Sequence, residues 1–221
     1  MITKFIEWIK FFFYKEPIET IPHIVESRKD YYNNKYPKSN IFYNRKELDG
    51  EYKIDVRLFL NKNNCLLPII DEGDDDEKAL QGLKWVLQNI TYTSDTSEYK
   101  NNEYWAYGYQ TLKHKKGDCE DGAILLYDIL RNAGIPAWKL RLSAGWVMLA
   151  NKKVGHAYLT YYCEDTEKWV ILDWCYWENT VAIKDRKEYK KEINYKETWF
   201  SFNEDYSWTK GLNNQAKELL E

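Results

Sequence analysis

Apolar positions recur at helical spacing in two stretches of the chain. In the first, Ala79, Leu80, Leu83, Val86, Leu87 and Ile90 predict an amphipathic helix. It is entered through Asp71-Glu72-Gly73-Asp74-Asp75-Asp76-Glu77, whose negative charge suits the positive end of a helix better than the spacing of a calcium loop. In the second, Ala123, Leu125, Leu126, Ile129, Leu130 and Ala133 follow Lys116-Gly117-Asp118-Cys119-Glu120-Asp121-Gly122, and Gly134 and Pro136 close the pattern. Asp118 stands where an N-cap belongs, and Asp121 approximates a capping box. The period changes after Pro136. Segments 137–142, 146–149, 156–163 and 168–174 read as strands, with a turn at Gly145 and a polar turn at 164–167. Residues 52–60 read as an earlier strand, and 91–109 as a polar, aromatic loop. Residues 16–49, with Pro17, Pro22 and Pro37, read as an extended arm. Helices followed by an antiparallel meander are an α+β layout.

The first residues carry Phe5, Ile6, Trp8, Ile9, Phe11, Phe12 and Phe13, interrupted by Glu7 and Lys10. This cluster is too short for stable membrane insertion and has no small-residue cleavage site. It reads as an amphipathic helix docked on the domain or as an arm that contacts a membrane surface, a partner or a second copy. The expected organisation is an N-terminal helix and arm over 1–50, then one domain over 51–221. That domain has its core at 75–180 and an aromatic segment at 181–221 that packs on it or forms a flap. Within that segment the charged run 184–192 reads as an exposed face, and 211–220 as a short terminal helix.

The 32 basic and 35 acidic residues leave a net charge of −3, which argues against a nucleic-acid partner. Cys65, Cys119, Cys163 and Cys175 form no C-x-x-C pair, so neither a disulfide framework nor a zinc site is expected, and the default setting is reducing and cytoplasmic. No cofactor and no metal are called for.

The chemistry lies in the second helix. Cys119 falls in its first turn, beside unpaired backbone N–H groups and the positive end of the dipole, where thiolate is favoured. Asp118, Glu120 and Asp121 oppose this, and the expectation is that Glu120 points to solvent and that a nearby imidazolium outweighs the carboxylates. Cys119 is then the most readily alkylated thiol below neutral pH. If Glu164-Asp165 make a two-residue turn, His156 and Asp173 stand opposite each other. A turn longer by two makes them diagonal neighbours on the same face, about 7–8 Å apart at the backbone. Only a one-residue bulge separates them to opposite faces. Cys119, His156 and Asp173 thus have the roles of nucleophile, base and orienting carboxylate.

Gly117-Asp118-Cys119-Glu120-Asp121, the apolar helix and Ala133-Gly134-Ile135-Pro136-Ala137 resemble the transglutaminase-like superfamily, and more closely its bacterial and bacteriophage cysteine hydrolases. Gly155-His156-Ala157-Tyr158 and Leu172-Asp173-Trp174 match that family's histidine and aspartate strands. Trp105 and Gln110-Thr111-Leu112 match a segment that usually reads tryptophan, proline, glutamate, threonine, leucine; here Gly108 replaces the proline and Gln110 the glutamate. The resemblance covers about residues 75–180. It implies a papain-like fold and a Cys119-His156-Asp173 triad that forms a thioester from an amide of a protein or peptide. Water then gives a peptidase or amidase, and an amine gives a transglutaminase. The backbone N–H of Cys119 is one oxyanion donor; Gln110, Trp105 and Trp174 are candidates for the oxyanion or substrate contacts. The rival expectation is a catalytically silent structural or binding module of the same fold, virion-associated if the chain is of phage origin.

Overall fold

In a computed structural model of the chain, which describes residues 25–47, 50–60 and 67–209, the helix α5 (Cys119–Asn132) is enclosed on all sides. Every residue from Glu120 to Leu130 is buried, so this is the central element and not a surface helix with one apolar stripe. The chain divides into two compact units, residues 1–35 and 36–221. The described part of the first is a helix, α1 (Val25–Asn34), where an extended arm was expected. The prolines explain the difference: Pro22 and Pro37 flank a proline-free stretch long enough for a helix.

The second unit begins with a hairpin, β1 (Phe42–Glu47) and β2 (Gly50–Asp55), and a 3-10 turn over Val56–Phe59. Only the first part of the strand expected over 52–60 is therefore extended. Tyr43 and Phe59 are buried and pack on the Trp105 indole at 5.3 and 5.5 Å between ring centroids. The acidic run opens α2 (Asp75–Asn89) as its charge predicts. Asp74 caps the helix by accepting from the Glu77 N–H, and Glu77 reaches back to the Asp74 N–H. Ala79, Leu83 and Val86 of its inner face are buried against the core.

The stretch expected as a loop carries three short elements: β3 (Thr91–Tyr92), α3 (Asp95–Glu98) and the start of α4 (Gly108–His114). β3 pairs in parallel with β4 (Lys116–Gly117), which delivers the chain to Cys119.

The main sheet comprises β5 (Leu140–Leu149), β6 (Lys152–Cys163), β7 (Lys168–Leu172), β8 (Tyr195–Phe202) and β9 (Ser207–Thr209), antiparallel in the order β7-β6-β5-β8-β9. Residues 137–139, read as the start of a strand, form a 3-10 turn. β5 runs through Gly145, where a turn was expected. A Cβ at Gly145 would collide with the Glu197 carbonyl of β8, and the register shifts at that point; the glycine serves a close backbone approach and a bulge. The C-terminal aromatics are sheet strands, with Phe200, Phe202 and Trp208 buried. Most of the charged run 184–192 is exposed or half-buried, and Arg186 is its exception. It is buried and donates to the carbonyls of Ile171 (2.8 Å) and Val181 (3.2 Å), tying the return loop to β7. The apolar cluster at 1–14, Cys65 and the helix expected at 211–220 lie outside the described residues. No helix among the described residues is long and apolar enough to cross a membrane.

Candidate active site

Cys119 opens α5, with Asp118 at the N-cap in extended conformation. The predicted capping box does not form: the Asp118 side chain makes no capping bond, and Asp121 Oδ1 accepts the Ala106 N–H at 2.7 Å. Trp174 Nε1 donates to the Cys119 carbonyl at 3.0 Å. Gly122, one turn into α5, leaves the space that this indole fills. Cys119 is half-buried and lines a cavity of about 500 Å³ together with Glu120, Ala144, Gly155, His156 and Trp199.

The hairpin takes the second of the two productive registers. Cys163 pairs with Lys168 and Leu159 with Leu172, so the turn is 164–167 and Asp173 lies diagonal to His156 on the same face. His156 Nε2 and Asp173 Oδ2 are 2.7 Å apart, with both side chains buried. Asp173 Oδ1 accepts the backbone N–H groups of Cys175 (3.0 Å) and Tyr176 (3.2 Å), and Oδ2 also accepts the Tyr195 hydroxyl at 2.6 Å. Burial works against the Asp173 carboxylate, but the His156 hydrogen bond and charge and the Tyr195 hydroxyl outweigh it, so its pKa lies below the ordinary value. Tyr176 stacks on the imidazole at 4.3 Å and 17°. With Nε2 committed to a carboxylate, Nδ1 is the ring nitrogen that can take a proton. It is buried and has no hydrogen-bond partner.

The sulfur is less ready than its helix position suggests. Its S–H donates to Glu120 Oε2 at 3.1 Å. Glu120 is buried, not turned to solvent as expected. Burial, then the Asp118 charge, pushes the Cys119 thiol well above its ordinary value, against the opposing pull of the Ala157 N–H. The positive helix end is outweighed by carboxylates folded in beside it.

Three residues offered as oxyanion or substrate contacts have other employment. Gln110 Oε1 accepts the Tyr107 N–H at 2.9 Å and so secures the start of α4; it does not line the cavity. Trp105 does line it, but its indole N–H is given to Glu103 Oε1 at 2.8 Å. Trp174 holds the Cys119 carbonyl. Missing from the sequence-based set are Tyr195, Asp95 and Glu103, which come from separate segments and carry no local motif.

Asp95, Asp118 and Asp121 each bring a carboxylate oxygen within 4.8 Å of the others, as do Asp95, Glu103 and Glu120. Asp95 Oδ1, Asp118 Oδ1, Glu120 Oε1 and Asp121 Oδ2 are buried without a hydrogen-bond partner. Burial and then Asp118 raise Asp95 to about 7. Burial also lifts Asp118, Glu120 and Asp121, the last two well above their ordinary values. Desolvated carboxylates whose oxygens lack hydrogen-bond partners are costly. Their hard oxygen donors suit a divalent cation such as calcium. The expectation that no metal is needed did not foresee this cluster. The trio His156, Asp173 and Cys175 is equally compact, but its imidazole and carboxylate are already bonded to each other.

No curated protein matches the chain. Among solved structures it is similar to Legionella pneumophila LapG in the EGTA-treated form, at 22% identity and TM-score 0.49, covering 63% of this chain and 69% of that one. The calcium-bound form of LapG aligns at 20% identity and TM-score 0.49, covering 68% and 80%. Residues 69–174, which contain Cys119, His156 and Asp173, match the family model described as the transglutaminase-like superfamily.

Proposed function

We propose that the chain is a thiol-dependent acyl-transfer enzyme of cysteine-peptidase type, acting on an amide of a protein or peptide. The observation that carries this is the shared cavity of Cys119 and His156, together with an imidazole whose Nε2 is held by Asp173 and whose Nδ1 is unpartnered. In the forward step Nδ1 takes the thiol proton as the sulfur attacks the amide carbonyl carbon. The Cys119 backbone N–H supports the oxyanion, and the imidazolium returns its proton to the leaving amine. A thioester on Cys119 remains. Water, giving up a proton to His156, releases a carboxylic acid; an amine in its place gives a new amide.

The unpartnered carboxylates of Asp95, Asp118, Glu120 and Asp121 fit a bound divalent cation. Such a cation would supply positive charge next to Cys119, offsetting the carboxylates that raise its thiol. Glu120, as one of its ligands, would no longer hold the thiol proton. The bond from Cys119 to Glu120 favours a second reading, a catalytically silent module of this fold.

Labelling with iodoacetamide, with sites assigned by mass spectrometry and calcium present, separates the two. An enzyme gives preferential modification of Cys119 that falls in His156→Ala, and amide hydrolysis or amine incorporation that disappears in Cys119→Ala. Equal labelling of all accessible thiols in both proteins would leave only the silent module.

A further inference from the structure

We infer that Tyr195 is a fourth member of the catalytic assembly, a positioning residue that holds the Asp173 carboxylate for His156. The inference rests on the triad proposed above and extends it to β8, a strand beyond the segment that matches the family model.

Asp173 Oδ2 receives two side-chain donors, His156 Nε2 at 2.7 Å and the Tyr195 hydroxyl at 2.6 Å, while Oδ1 receives two backbone N–H groups. Four donors fix the rotation of a carboxylate that is 2% exposed, too little for water to supply a missing one. Tyr195 itself is held from several sides. Its ring lies 4.7 Å from Tyr158 and 5.1 Å from Trp177 between centroids. The Tyr158 hydroxyl is bonded to that of Tyr189 at 2.6 Å, so it does not compete for Asp173. Burial and the neighbouring Asp173 charge raise the Tyr195 phenol far above its ordinary value, so it remains a neutral donor.

Two consequences follow from that geometry. Tyr195 fixes Oδ2 in the position that engages Nε2 and leaves Nδ1 for the sulfur. It also sits with His156 on the same oxygen, so that Oδ2 is kept from turning away from the Nε2–H that donates to it. Loss of the hydroxyl leaves the second lone pair of Oδ2 unsatisfied and lets the carboxylate rotate. Partners of this kind, one step behind an oriented imidazole, typically change activity by about tenfold or more.

The test uses the full chain with histidine labelled by nitrogen-15, and iodoacetamide as the probe of Cys119. In Tyr195→Phe the His156 Nε2 proton should move to higher field, as Oδ2, no longer pinned by the phenol, engages the imidazole less squarely. Cys119 alkylation at neutral pH should fall by about tenfold. Tyr158→Phe, which removes a buried hydroxyl from the same aromatic group without touching Asp173, should change neither. An unchanged resonance and rate in Tyr195→Phe overturns the inference, as does an equal response in Tyr158→Phe. If Tyr195→Phe does not fold, the wild-type protein decides. Its Tyr195 hydroxyl proton must appear at low field with a through-space cross-peak to the His156 Nε2 proton, and absence of that peak overturns the assignment. His156→Ala is the separate control. If it leaves Cys119 alkylation unchanged, the triad fails, whereas a decrease in His156→Ala with no response in Tyr195→Phe removes Tyr195 alone.

Discussion

Two acidic clusters at helix starts have opposite fates in this molecule. At the start of α2 nearly every carboxylate has an internal partner. Asp74 and Glu77 cap each other's backbone, Asp75 takes the buried Lys139 ammonium at 2.6 Å, and Asp76 accepts the Tyr161 hydroxyl at 2.6 Å and the Cys163 thiol at 3.0 Å. At the start of α5 the same residue types are more deeply buried, and three of their oxygens (Asp118 Oδ1, Glu120 Oε1 and Asp121 Oδ2) have no partner. Charge at a helix N-terminus is therefore no guide to its use. What separates structural from functional acid is whether the fold completes the hydrogen bonds.

The largest expected difference between the clusters is their response to calcium. Added calcium should raise the thermal midpoint of the wild-type protein, with stabilisation of about 2.7 kcal/mol once its concentration reaches a hundred times the dissociation constant. Asp121→Asn should abolish that rise in calorimetry, and Asp75→Asn should keep it. A rise retained in Asp121→Asn would break the contrast. Next in size are packing effects. Gly122→Ala drives a methyl into the Trp174 indole and should destabilise by about 1–3 kcal/mol in urea titration, with slower Cys119 labelling because the indole also holds the Cys119 carbonyl. Asp76→Ala leaves the buried Tyr161 hydroxyl without its acceptor and should cost about 1–3 kcal/mol, with the calcium response intact. The smallest is Asp74→Ala, which removes a cap and should cost about 1 kcal/mol.

Acid sensitivity should track Asp173. Its folded-state pKa lies below the unfolded one, so its stabilising contribution is complete above the ordinary carboxylate range and is lost as pH falls through the folded value. Asp173→Asn should flatten that part of the stability–pH curve, as measured by urea titration at a series of acidic pH values.

The sequence made the Cys119 helix and the histidine–aspartate hairpin legible, because both are local: one is a 3.6-residue period with a glycine stop, the other a register with few alternatives. Gly145 was misjudged as a turn because the reason for that glycine is the Glu197 carbonyl, more than fifty positions along the chain. Glu120 was misjudged for a related reason. An isolated helix start exposes its first carboxylates, but here the segment containing Asp95 and Glu103 closes over them. Tyr195 and Asp95 lie in no motif at all; only the five-stranded sheet and the α3 turn bring them to the site.

The cavity draws part of its wall from outside the segment that carries Cys119 and His156. Cys119, His156 and Asp173 lie within residues 69–174, but Tyr43, Asn44 and Lys46 come from β1 and Trp199 and Phe200 from β8. On the reading proposed above, reaction and part of the selectivity are encoded in separable stretches, so exchanging a hairpin and an outer strand should retarget the site while its candidate triad stays unaltered.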